Sequence, residues 1–378
     1  MPYRQFRVAV LAPLVSPIRQ PYLGGAQAMV RDLATTLAAR GHQVTLYAAS
    51  DSDPSALPGV RLITIATDTT QLDPADFTGQ REQSRASESA MRAAFERGFE
   101  MIAGHSREYD LIHAHAYDLP ALLGGARQAL PNLHTLHMPS LGDDFDAALA
   151  SLAPPGAPRS PRQPWLATVS TGCAETYRDV CRIDAVINNG VAVEAIPFGA
   201  QPASPPFLLF AGRISPEKGA ADAISIARAA NMSLLMVGGV YDQRYFSRQI
   251  EPLLQSEPSQ VTYLGSLEHE RVWELMAGAT ALLVPSHWEE PFGLAACEAQ
   301  AAGAPVIAYA RGGLRDIIVD RETGALVTPG DITAAAESVG WVSALNRRAC
   351  RQRVERRFTL SQMATGYEAL YARMLVSS

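Results

Sequence analysis

The sequence predicts an α/β protein made of two doubly wound parallel-sheet domains. Three observations carry that prediction. The chain has 378 residues, beyond the ~250–300 residues at which a single core stops growing. Short apolar runs alternate with helical stretches carrying one apolar stripe, as in a parallel sheet covered on both faces. The alternation pauses at Gln201 to Pro206, reading QPASPP, and then restarts. Proline and small polar residues in such a position read as an interdomain linker.

The chain opens with a strand over Arg7 to Leu11 and a loop from Ala12 to Gly25. Val30, Leu33, Ala34, Leu37 and Ala38 share one stripe, so Gln27 to Arg40 is a helix, ended by Gly41. Strands follow over Val44 to Ala48 and Val60 to Ile65, then a helix from Ser84 with Met91, Phe95, Phe99 and Ile102 at helical spacing. Leu111 to Ala114 reads as a strand, Ala121 to Gln128 as a short helix and Leu133 to His137 as a strand. Pro154 to Pro164 holds five prolines and reads as a loop or lid. Beyond the linker, strands are expected over Phe207 to Ala211, Leu234 to Val237, Val261 to Leu264, Ala281 to Val284 and Val306 to Tyr309. Helices over Ala220 to Ala230, Tyr245 to Leu254, Glu268 to Met276 and Leu294 to Ala302 separate them. Arg356 to Leu375 reads as one or two terminal helices, with Leu360, Met363, Tyr367, Leu370 and Tyr371 on an apolar stripe.

Composition excludes several classes. With 47% hydrophobic and 19% charged residues the chain is globular rather than disordered. A net charge of −6 argues against nucleic-acid backbone binding. No apolar run approaches the ~18 residues of a membrane span, and Met1 to Leu14 lacks the features of a signal peptide. Four cysteines, Cys173, Cys181, Cys297 and Cys350, are too few for a disulfide scaffold and form no CxxC, so a reducing, cytoplasmic setting is expected. Of 32 basic residues, 31 are arginine and one is lysine, Lys218. A solvated surface position in this chain would carry Arg, and an ammonium is not interchangeable with a guanidinium at a tight site. Lys218 is therefore a site candidate before any motif is considered.

Four features could carry chemistry. Gly24 and Gly25 precede a helix, where backbone N–H groups can approach an anion, although a plain turn explains them equally. In FLLFAGRISPEKG, a strand ends at Gly212 and is followed by Arg213 and Lys218 in a loop that opens a helix. Two cations there suit a diphosphate. In EEPFGLAACE, Glu290 sits in a loop and Glu298 eight residues later on a small-residue helix. Carboxylates accept hydrogen bonds from vicinal hydroxyls, and a helix-start dipole effect explains Glu290 better than Glu298. His113, His115, His134 and His137 fall at two strand ends. A zinc site would include cysteine or carboxylate ligands in a compact pattern, so no metal is expected. His42 reads as a structural loop residue.

Taken together these residues resemble glycosyltransferase family 4, whose members have the two-domain GT-B fold. GGAQAMVRDLATTLAARGHQVTLYA, YDLIHAHAYD, TLHM, LLFAGRISPEKG, EEPFGLAACEAQAAGAPVIA with its E-x7-E spacing, and RGGLRDIIVDRETGALV occur in the family's order. RRFTLSQMATGYEALY resembles its terminal helix, which crosses back to the first domain. Pro139 to Pro164 has no counterpart, which leaves the acceptor open. The resemblance implies domains over 1–200 (acceptor side) and 201–355 (donor side), with a terminal helix over 356–378 and a cleft between the domains. It implies retaining transfer of a sugar, of hexosyl or N-acetylhexosaminyl type, to a hydroxyl or amine. The donor would be a nucleotide-diphosphate sugar, a UDP-sugar being favoured, with no metal and no cofactor. Arg213 and Lys218 would bind the diphosphate, Glu298 the ribose and Glu290 a hydroxyl of the donor sugar. Backbone N–H groups of Phe292, Gly293 and Leu294 would face sugar and phosphate, Gly24 and Gly25 the diphosphate, and Gly238 and Gly239 the base. His137 would lie near the anomeric centre, with His115 and Asp118 on the acceptor side. The expected partners are a small-molecule donor and acceptor, without nucleic acid. A sugar-nucleotide epimerase of the same fold is an alternative, but it would lack the E-x7-E loop. A phosphorylase would be longer and need a second lysine. A non-catalytic sugar-nucleotide binder is the third reading, and the presence of every expected polar residue speaks against it.

The lone lysine generates a direct test. Lys218→Arg keeps the charge but is expected to lower kcat/KM about tenfold or more, the equivalent of ~1.4 kcal/mol in the barrier. Wild-type steady-state kinetics in the folded variant would make Lys218 a surface residue.

Overall fold

Val8 to Leu11 are all fully buried, as happens in a strand covered on both faces. Val8 and Val10 join one layer of the core while Ala9 and Leu11 join another, the alternation of an extended chain. The computed structural model describes residues 4–20, 25–67, 85–161, 163–256 and 260–377. In chain order its strands are β1 Arg7–Leu11, β2 Gln43–Ala49, β3 Arg61–Ile65, β4 Leu111–Ala114, β5 Asn132–Leu136, β6 Trp165–Thr168 and β7 Ala185–Val186. After these come β8 Phe207–Ala211, β9 Ser233–Val237, β10 Val261–Tyr263, β11 Ala281–Val284, β12 Val306–Tyr309 and β13 Gly324–Val327.

The strands form two sheets, ordered β3-β2-β1-β4-β5-β6-β7 and β10-β9-β8-β11-β12-β13. Their pairings are parallel. In each sheet the order runs outward from the first strand in one direction and then resumes on its other side. The loops after β1 and β4, and those after β8 and β11, therefore part at the carboxyl ends of the strands and leave a crevice there. These are the α/β, Rossmann-like layers expected from the alternating pattern.

The chain divides into two units, Met1–Gly190 with Leu360–Ser378, and Val191–Thr359. The first boundary lies ten residues before the expected 200/201, and the second falls at 359/360 rather than 355/356. Hydrogen bonding accounts for both corrections. Val191 donates to the Phe358 carbonyl at 2.8 Å and Gly199 to the Ala302 carbonyl at 2.9 Å, so residues 191–200 are tied into the second unit. The QPASPP stretch is also held there, with Ala203 donating to the Gly278 carbonyl at 2.8 Å.

Other elements differ in detail. A helix at Asp144–Leu152 lies within Pro139 to Pro164, started by the Asp143 side chain, which accepts from the Phe145 and Asp146 N–H groups. The helix expected over Tyr245 to Leu254 is broken into Gln243–Tyr245, a π turn at Phe246–Ile250 and Glu251–Ser256. Pro252 has no N–H and its ring crowds the carbonyl four residues back, so the helical ladder widens just before it. The strand Gly324–Val327 and helices Ile332–Val342 and Arg347–Arg357 complete the second unit. Among the described residues no helix is long and apolar enough to cross a membrane.

In the first unit the terminal helix Leu360–Val376 lies against the helix Gly25–Ala39. Met363, Tyr367, Leu370 and Tyr371 are buried as the stripe predicted. Glu368 anchors the helix by accepting from Arg40 and pairing with His42, each at 2.9 Å. In the second unit the guanidinium of Arg347 is buried and donates to the carbonyls of Gly199, Ala279 and Ala277 at 2.6, 2.8 and 2.7 Å. Arg347→Leu would strand these carbonyls. It is expected to lower the unfolding free energy by about 2–4 kcal/mol, measured by guanidinium chloride denaturation of the two proteins.

Candidate active site

The second unit's crevice is built by the loops after β8 and β11. Beyond β8 come Gly212, Arg213, a tight turn at Pro216–Lys218 and the helix Ala220–Ala229. Gly219 has φ +71°, and a Cβ there would lie 2.0 Å from the Pro285 carbonyl oxygen. Only glycine lets the Lys218 turn sit this close to the loop carrying Glu290. Lys218 Nζ donates to Glu290 Oε1 at 2.8 Å and Oε2 at 2.9 Å. The indole N–H of Trp288 donates to Oε2 at 2.8 Å and the Ser286 hydroxyl at 3.1 Å. Glu290 is only 8% exposed. Burial pushes its carboxyl up, but the Lys218 charge and hydrogen bonds, with Trp288 and Ser286, hold it below the usual carboxylate range. The Lys218 ammonium also lies 4.8 Å from the centroid of the Trp288 ring. Arg213 stacks at the same distance, 4.8 Å, over Tyr241 and reaches Glu217 at 3.3 Å.

A second loop braces Glu290 from behind. Gly313 N–H donates to the Glu290 carbonyl at 2.7 Å, and a Cβ on Gly312 would fall 2.3 Å from that oxygen. Glu289 closes the clasp, accepting from Gly312 N–H at 2.7 Å and Arg311 at 2.9 Å. Gly293 follows at φ +101° and starts the helix Leu294–Ala301, whose first-turn N–H groups have no intrahelical acceptor. The Phe292 ring is buried against Phe358. Glu298 sits on this helix and pairs with His269 at 3.1 Å. Gly238 and Gly239 end β9. Gly238 packs so closely on the strand β8 loop that a Cβ would lie 1.8 Å from the Gly212 carbonyl oxygen.

The first unit treats its polar groups differently. His115 and His137 stand one residue beyond β4 and β5, and His115 Nδ1 meets His137 Nε2 at 3.0 Å. Behind them His113 contacts Tyr371 at 2.7 Å and Thr135 at 2.8 Å. His115 is fully buried and His137 is 8% exposed. Desolvation lowers all four imidazoles, His137 to about 3 and His134 to about 4. Asp118 precedes the helix Leu119–Ala126, makes no side-chain cap, and leaves Oδ2 buried without a partner. Burial pushes its carboxyl up to about 7. Gly25 is the first residue of its helix, while Gly24 lies outside the described residues. Among the described residues no group of three or more His, Cys, Asp or Glu is placed to hold a metal ion.

Of the residues singled out from sequence, Arg213, Lys218, Glu290 and Glu298 lie in the second unit, and the structure brings Lys218 and Glu290 into direct contact. Sequence reasoning missed Ser286, Trp288, Glu289 and His269. Trp288 carried a usable signal, a bulky aromatic two residues before Glu290 in a loop otherwise rich in charge.

Residues 194–357 match the family profile described as Glycosyl transferases group 1, and residues 23–195 the profile Glycosyltransferase Family 4. The D-inositol 3-phosphate glycosyltransferase of Mycobacterium avium (strain 104) is 31% identical, with 88% of this chain and 84% of that protein covered. The chain belongs to glycosyltransferase family 4. A glycogen synthase of Mycobacterium tuberculosis is 29% identical over 92% of this chain and 91% of its own. The sucrose-phosphate synthase structure from Thermosynechococcus elongatus is similar with a TM-score of 0.76 at 26% identity, covering 98% of this chain and all of that one. The protein is thus a glycosyltransferase with the GT-B architecture.

The neutral imidazoles set a pH dependence. Between their ordinary value near ~6.5 and their lowered folded values, the unfolded chain takes up protons that the folded chain refuses, so stability falls as pH drops. Each histidine contributes a slope of at most roughly 1.4 kcal/mol per pH unit. Asp118 has the opposite sign, since its folded carboxyl protonates near 7 and the unfolded one only near ~3.9. The melting temperature of the wild type is expected to fall from pH 7 to 4.5, less steeply in His134→Leu and more steeply in Asp118→Asn. Melts of Asp118→Asn no steeper with pH than wild type would contradict a titrating Asp118.

Proposed function

We propose that this glycosyltransferase moves a sugar, with retention of anomeric configuration and without a metal ion, from a nucleotide-diphosphate sugar to a hydroxyl of a small-molecule or glycan acceptor. The observation that carries the reading is the Lys218–Glu290 pair at the carboxyl ends of β8 and β11, beside the start of the helix Leu294–Ala301. Lys218 and Arg213 supply the positive charge that a metal ion would otherwise give the leaving diphosphate, most strongly in the transition state as that charge grows. The N–H groups at Gly293 and Leu294 add the partial positive end of a helix. Glu298 accepts from the ribose hydroxyls, its pairing with His269 fixing one carboxylate oxygen and leaving the other to the ligand. Glu290 accepts from a hydroxyl of the transferred sugar.

The first unit supplies the acceptor-side groups. His137 is neutral at physiological pH and contacts the sugar as a hydrogen-bonding group rather than as a cation. Asp118, with an unpartnered buried oxygen, accepts a hydrogen bond from the acceptor hydroxyl. The four cysteines are buried free thiols, in keeping with a reducing cytoplasmic setting. A hexosyl group and a UDP donor are the starting choices for assay.

The deciding experiment offers UDP-, ADP- and GDP-sugars with and without candidate acceptors and reads the product anomer by NMR, with EDTA present and absent. Consumption that depends on the acceptor, survives EDTA and retains configuration is expected. Donor conversion without acceptor would point to an epimerase, and binding without turnover to a non-catalytic binder. Glu298→Gln is expected to weaken nucleoside diphosphate binding by about 1.5–3 kcal/mol, whereas Glu290→Gln mainly lowers kcat. Equal affinity losses in calorimetric titration would refute that division.

A further inference from the structure

Lys218 faces two demands. Among the described residues it is the one charged side chain bonded to the buried carboxylate of Glu290, at 2.8 and 2.9 Å. In the proposed function it must turn its ammonium to an anionic diphosphate. Withdrawing the counter-ion of a buried carboxylate is costly unless other donors take over. Two neutral donors stand on the same oxygen, the indole N–H of Trp288 at 2.8 Å and the Ser286 hydroxyl at 3.1 Å. The ring face of Trp288 meanwhile lies 4.8 Å from the ammonium, inside the range of a cation–π contact. One side chain thus touches both members of the pair, the anion through its N–H and the cation through its ring.

We propose that Trp288 is a positioning residue for the diphosphate-binding lysine: its N–H holds Glu290 ionised when Lys218 leaves, and its ring keeps Lys218 within reach of the diphosphate. Trp288 makes Lys218 exchangeable between an internal carboxylate and an external anion. Without the indole N–H, Glu290 grips Lys218 more tightly and competes with the diphosphate. Ser286 acts in the same direction, more weakly at its longer distance. This inference rests on the reading of Lys218 as a diphosphate ligand, so its test separates the two.

Trp288→Phe keeps an aromatic face and removes the N–H. Calorimetric titration with UDP, or with ADP or GDP if one of these binds the wild type more tightly, is compared with titration by the matching nucleoside. The nucleoside has no diphosphate and reports the grip on base and ribose alone. Trp288→Phe is expected to weaken diphosphate binding about tenfold and leave nucleoside binding unchanged. In a Lys218→Met background it should cause no further loss, since the residue acts through Lys218. Wild-type diphosphate affinity in Trp288→Phe, an equal loss for the nucleoside, or a loss that persists in the Lys218→Met background would each overturn the proposal. If Lys218→Met itself binds the diphosphate like the wild type, the donor reading of Lys218 fails and the role of Trp288 fails with it. Should Trp288→Phe not fold, Ser286→Ala removes the other neutral donor with little change in volume. It must then show a smaller diphosphate-specific loss, and unchanged affinity would overturn the proposal.

Discussion

A carboxylate buried against a single ammonium is the constraint around which the second unit's crevice is arranged. Glu290 can remain ionised out of water only because donors converge on it, and each donor demands something of the chain. Lys218 must arrive on a turn tight enough to need Gly219 in the left-handed region. Trp288 and Ser286 must precede Glu290 on the same loop. The main chain at Glu290 must be held rigidly, which the Gly312–Gly313 pair does by packing directly against it and the Glu289 clasp does by fastening that pair in place. The glycines of KG and RGG thus have one shared physical origin, the close approach of three loops around one charge.

The first unit solves the opposite problem. Its strand ends carry imidazoles kept neutral by burial, joined by hydrogen bonds that need no charge. His113 sits between Tyr371 and Thr135, and His115 abuts His137. Tyr367 also reaches Thr135, at 3.3 Å. The terminal helix is consequently part of the support of His113, and the apolar stripe that seats this helix carries two hydroxyls.

Much of the fold was legible because its signals are local. Continuous apolar runs in the strands and one-faced stripes in the helices reflect burial by neighbouring layers, and the parallel order follows from strands separated by helices. Lys218 stood out from composition alone as the one lysine in a chain that otherwise uses arginine, and the structure pairs it with the buried Glu290. Glu290 and Glu298 were legible from spacing, since a loop and the helix it opens fix their separation. The family resemblance added expected roles to these residues, and the structure pairs Glu290 with Lys218 and Glu298 with His269.

What the sequence by itself determined is the alternation of elements, the class of fold, and the residue types that line a crevice at the carboxyl ends of the strands. Only the tertiary structure decided where the chain passes from one unit to the other, because that boundary depends on Val191 pairing with Phe358 and Thr359 far along the chain. Only the tertiary structure placed Arg347 among three carbonyls, joined Lys218 to Glu290, 72 positions apart, and turned Trp288 toward both. Local propensity cannot encode such contacts. They follow from closing long loops and from the requirement that every buried charge find a partner, and that partner is chosen by proximity in space rather than in sequence.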